Sequence, residues 1–112
     1  MVSENPKDHR HFVSSFAGER HIDADATGIS VTTPRGVIQV MTPSAWRAAM
    51  GTEPPDLTRG AHLAAIRFAV RDKAAVASAL KSNGITAAER DGRVVVPPDA
   101  AYGATLIFET LK

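Results

Sequence analysis

The chain has 112 residues, 44% of them hydrophobic and 22% charged, with a formal net charge of +1 and no cysteine. That length suits one domain able to bury a core without cross-links, and the lack of cysteine excludes disulfides, thiolate metal sites and cysteine nucleophiles. The scattered basic residues give no footprint for nucleic acid or a membrane surface, and no stretch approaches the ~20 apolar residues of a bilayer span.

Residues 1 to 7 are polar and are expected to be frayed. The opening "MVSENPKDHRHF" has no signal-peptide apolar segment, so a cytoplasmic location is the expectation. In "KDHRHFVSSFAG", Phe12, Val13 and Phe16 fall at i, i+1 and i+4 ahead of Gly18, which suits a short amphipathic helix with a glycine cap. "ERHIDADATG" is turn-rich and offers at best a short edge strand. "ISVTT" and "VIQVMT" read as two strands joined by a tight turn at "PRG". A helix follows in "TPSAWRAAM", with Thr42 as N-cap, Pro43 at the first helical position and Gly51 just past the end. Residues 51 to 60, "GTEPPDLTRG", hold two glycines and two prolines and read as a linker.

Beyond the linker, "LAAIRFAV" alternates, with Ile66, Phe68 and Val70 on one strand face and Leu63, Ala65, Arg67 and Ala69 on the other. Asp72 caps the helix "KAAVASALKSNG", in which Val76 and Leu80 share a face and Gly84 ends the run. "ITAAER" and "RVVVPP" around Asp91-Gly92 make a hairpin. After a loop through Tyr102 and Gly103, "ATLIFETL" is the last strand. The order from residue 61 onward is β-α-β-β-β.

That order, with "IRFAVRDKAAVASALKSNGI" and "GRVVVPPDAAYGATLIFE", resembles the module of the vicinal oxygen chelate superfamily, which includes glyoxalases, extradiol dioxygenases and bleomycin-resistance proteins. "RGVIQVMTPSAWRAAMG" resembles the end of a preceding module and its crossover helix, and the likeness is greatest to the divergent glyoxalase-like branch. The fold the resemblance implies is α+β: βαβββ modules with a mixed, mostly antiparallel sheet and helices on one face. It divides the chain into a frayed 1–7, an incomplete first module over 8–50, the linker 51–60 and a complete module over 61–112. With residues 8 to 18 as its helix, the first module lacks a leading strand. The chain is therefore expected either to be a fragment or to complete its sheet through another subunit, and a homodimer is the expected assembly.

The resemblance also implies metal ligands on the first and last strands of each module, facing a shared cavity. Those positions fall on Ala65, Ile107 and Gln39, none a good ligand, so no metal is expected. His62 lies three residues too early and reads as a strand-entry residue; Glu109 shares the face of Ile107 but lies about 6 to 7 Å further along the strand. The cavity the resemblance implies is lined by Leu63, Ala65, Arg67, Gln39, Thr105 and Ile107, with Glu109 on the equivalent face of the last strand and Tyr102 in the loop before it as further candidate ligand contacts. Arg67 could clamp a carboxylate or phosphate, or pair with Glu109, or both. Tyr102 could close over a ligand or pack its own turn, whereas Trp46 and Met50 suit the packed face of a helix. His9 and His11 point apart, and "RHIDAD" suits a solvated turn.

Two functions remain. One is a glyoxalase-like small-molecule-binding protein without metal or other cofactor, taking an apolar body with one anionic group. The alternative is a lyase, isomerase or dioxygenase in which His62 and Glu109 hold a divalent cation after a register shift. A blander possibility is that the chain is only an assembly half whose site needs another subunit; none of these readings involves nucleic acid or a membrane.

Overall fold

In the computed structural model, which describes residues 1–111, the chain divides into two units: one from Met1 to Leu63, the other from Ala64 onward. No helix among the described residues is long and apolar enough to cross a membrane.

The first unit opens with a 3-10 turn at Pro6–His9 that runs into α1 (Arg10–Ala17). Gly18 closes the helix at φ 71°, a left-handed cap that glycine takes without steric cost. An antiparallel meander follows, of β1 (Asp23–Asp25), β2 (Gly28–Thr33) and β3 (Gly36–Met41). Its tight turn is held by Thr33 Oγ1, which accepts from the Arg35 and Gly36 amides at 3.2 and 3.1 Å. Val13, Ile29, Val31 and Val40 form the buried core, with Ala17 and Ile22 packed against it. Each such side chain contributes about 1.5–3 kcal/mol by leaving water.

Two expectations reverse here. The helix of residues 10 to 17 forms, but Val13 is its buried side chain, while Phe12 and Phe16 stay exposed and stack on each other at 5.9 Å. Nor are the first residues frayed. Val2 is fully buried and bridges Met41 in parallel and His62 in antiparallel sense. The bridges are backbone bonds: Val2 and His62 exchange both amide–carbonyl pairs, Met41 donates to the Met1 carbonyl and Ser3 donates to the Met41 carbonyl. A polar composition does not prevent this, because the sheet needs only main-chain donors and acceptors and one buried valine. Val2 therefore stands beside β3 in the parallel sense expected of the first module's leading strand.

After the meander, α2 (Pro43–Met50) starts at Thr42, whose Oγ1 accepts from the Ala45 amide at 3.1 Å, and ends at Gly51 with φ 69°. Trp46 and Met50, one turn apart, are both buried. Residues 51 to 60 contain no helix or strand. The Trp46 indole donates to the Glu53 carbonyl at 3.3 Å, and Arg47 Nε meets the Glu53 carboxylate at 3.2 Å.

The second unit comprises β4 (Ala65–Val70), α3 (Lys73–Ser82), β5 (Ala88–Arg90), β6 (Arg93–Val96), a 3-10 turn at Pro98–Ala100 and β7 (Thr105–Thr110). The sheet order is β4-β7-β6-β5, with β4 parallel to β7 and the other pairs antiparallel. This is an α+β fold with the β-α-β-β-β order expected from the sequence. Val2, β3, β2 and β1 of the first unit follow the same sequence of one parallel and two antiparallel pairings. Asp72 caps α3 through Oδ1, which accepts from the Ala75 amide at 3.1 Å. Asp91 and Gly92, both at positive φ, form the β5–β6 turn that a right-twisted hairpin favours. Val94 and Val96 are buried on one sheet face, Thr105 and Ile107 on the other.

Candidate functional site

Register in the second unit decides which side chains share a face. Ala65 is opposite Thr105, Arg67 opposite Ile107 and Ala69 opposite Glu109, so all six point to one side of the sheet. β6 continues the rows: Val95 pairs with Ile107, which puts Val95 and Arg93 on that same side. The hairpin register then adds Arg90, directly across from Arg93.

The face has a closed end and an open one. Thr105 and Ile107 are buried. At the open end Glu109 sits between two guanidinium groups. Its Oε1 is 3.8 Å from Arg67 Nε and its Oε2 is 3.5 Å from Arg93 Nε, and all three side chains are about one-third exposed (31, 33 and 32% for Arg67, Glu109 and Arg93). Ala69, beside Glu109 in the ladder, has no long side chain, so the carboxylate can lean diagonally to Arg67. Arg67 thus pairs with Glu109, through its Nε edge.

Of the other candidates, Gln39 belongs to the first unit, where its carbonyl accepts from the Met1 amine at 2.9 Å. Its side chain borders a shallow groove of about 100 Å³, together with Asp23, Asp25, Thr27 and Ser30. That volume is below the roughly 300 Å³ at which small-molecule pockets begin. Asp25 is occupied locally: the Thr27 hydroxyl and amide donate to Oδ1 at 2.5 and 2.8 Å, and these bonds, the hydroxyl first, hold its carboxyl below the ordinary value of 3.8. Tyr102 is fully exposed at φ 56°, followed by Gly103 at φ 96°, so it does not pack its own turn.

A divalent metal, implied only by the alternative reading, finds no fitting donor set. His62 takes part in the sheet through its backbone. Both oxygens of Glu109 already face cations. No group of three histidines and carboxylates suited to a metal occurs among the described residues.

Arg93 is the site residue that sequence reasoning missed. Its signal was present: the Asp91-Gly92 turn fixes the hairpin register, and counting across the sheet from Arg93 leads to Glu109.

Comparison with known proteins adds little. No family model matches the chain, and no curated protein matches it. Among solved structures, it is similar to the crystal structure of a glyoxalase/bleomycin resistance protein/dioxygenase from Nocardioides, at 11% identity and a TM-score of 0.41 over 96% of this chain and 77% of that one. A likeness that distant carries no argument, so the βαβββ order stands on the strand pairings alone.

Proposed function

We propose that the chain is a small-molecule-binding module of the glyoxalase-like type, working without a metal and recognising an anionic group through Arg67. The observation that supports this is one carboxylate shared by two guanidinium groups at the open end of a sheet face. A structural ion pair is the simpler explanation of such contacts, and exposed pairs contribute only about 0–1 kcal/mol. What supports the binding reading beyond such pairing is the charge on this face, where Arg67, Arg93 and Arg90 stand beside the single carboxylate of Glu109. Val95, half-buried on the same face, offers apolar contact to the body of a ligand.

Benzoate and its neutral counterpart benzyl alcohol test the reading. Calorimetric titration is expected to show benzoate binding and benzyl alcohol not. Arg67→Ala should weaken benzoate at least about tenfold, the scale of a lost hydrogen bond to a charged group. Equal binding of the two compounds, or benzoate binding indifferent to the substitution, would overturn it.

A further inference from the structure

Resting on that reading, we infer that the anion taken at this face is a phosphate monoester dianion rather than a carboxylate, with Arg93 as the specificity-determining residue and Glu109 as a positioning residue. Three observations lead there. First, Glu109 meets each arginine through Nε, at 3.5 and 3.8 Å, and neither contact is close or aligned enough to be a hydrogen bond. Neither guanidinium spends a side-chain hydrogen bond elsewhere among the described residues. The terminal Nη–H groups of two arginines are therefore unspent, held on either side of one carboxylate. The three terminal oxygens of a phosphate can accept from both guanidinium forks at once, with more acceptor sites than a carboxylate's two oxygens provide.

Second, charge favours a dianion. Arg67, Arg93 and Arg90 share the face with one carboxylate, and no carboxylate pairs with Arg90 among the described residues. The balance is two positive units. Third, Arg90 stands directly opposite Arg93, where like charges destabilise a strand pair. The Lys73 ammonium adds another cation at this hairpin by donating to the Gly92 carbonyl. The acidic groups of the hairpin do not cancel this concentration, since Glu89 alternates to the opposite face and Asp91 lies in the turn. Departures from local rules of this kind are expected at functional sites.

The test uses the whole chain and two probes, phenyl phosphate and benzoate, titrated at pH 7.5. The inference predicts phenyl phosphate bound at least about tenfold more tightly than benzoate, and a loss of about tenfold in Arg93→Gln, with benzoate affinity changed less than about threefold. A pH series on the unsubstituted protein needs no variant: phenyl phosphate affinity should fall as pH drops through about 6, where a phosphate monoester takes up its second proton. Equal affinity for the two probes, or an equal loss of both in Arg93→Gln, overturns the inference while leaving the anion site intact. Failure of both probes to bind, or binding of both unaffected by Arg67→Ala, overturns the underlying reading instead.

Discussion

Replacing Val2 by alanine tests the reversal at the start of the chain, where composition suggests fraying and the structure places a buried bridge. The backbone bonds to Met41 and His62 survive the substitution, so the loss is confined to two methyl groups from a side chain with no exposed surface. At ~0.8 kcal/mol per carbon, transfer accounts for about 1.6 kcal/mol, and an incompletely collapsed cavity raises the cost to about 2–3 kcal/mol. Phe12→Ala is the control. Phe12 is the larger residue and the more obvious core candidate in the sequence, yet it is 59% exposed and its contact is the stack on Phe16, so its removal should cost less than about 1 kcal/mol. Trp46 is the chain's one tryptophan and lies buried in the same unit, so its fluorescence in a urea titration reports that unit's unfolding. A Val2→Ala cost below about 0.5 kcal/mol, or a larger cost for Phe12→Ala, would refute this packing.

Gly28→Ala should destabilise the first unit by at least about 3 kcal/mol: Gly28 has φ +145°, and a Cβ there would stand 2.0 Å from the Val40 carbonyl oxygen. Urea melts read through Trp46 would show it, and a near-neutral result would mean that β2 and β3 are not so closely paired. Asp25 should titrate below 3.8, its charged form being held by the Thr27 hydroxyl and amide, and Thr27→Ala should move its midpoint back toward 3.8. A folded value below the unfolded one means that this contribution to stability is present above pH 3.8 and lost as pH falls through the lower folded value. Carbon-detected NMR of the Asp25 carboxyl checks both, and a midpoint at or above 3.8 in the unsubstituted chain contradicts the assignment. Asp72→Ala should cost α3 about 1 kcal/mol by leaving the Ala75 amide without its cap, seen as reduced thermal stability in circular dichroism; no change would mean that the cap is not formed in solution.

Most of the fold was legible because its signals are local. Period-two alternation marks β4, Thr42 and Asp72 mark two helix starts, and Asp91-Gly92 marks the hairpin. What failed depends on distant partners. Nothing within "MVSENP" indicates that Val2 will pair with Met41 and His62, 39 and 60 residues away. The choice of Val13 over Phe12 and Phe16 as the buried face of α1 is likewise settled by where β2 lies, not by helix periodicity. At the site, parity placed Arg67 and Glu109 on one face. The burial of Thr105 and Ile107 and the arrival of Arg93 from a third strand needed the assembled sheet.

The arginine side chains themselves give the most direct test of the anion site. In a protein labelled with 15N at arginine, the Nε–H signals report each guanidinium separately, and phenyl phosphate can be titrated against them at pH 7.5. The Nε signals of Arg67 and Arg93 should shift together along a single saturation curve, while that of Arg47, paired with Glu53 in the other unit, stays fixed. Unmoved signals for Arg67 and Arg93, or a drift shared without saturation by every arginine, would contradict the account.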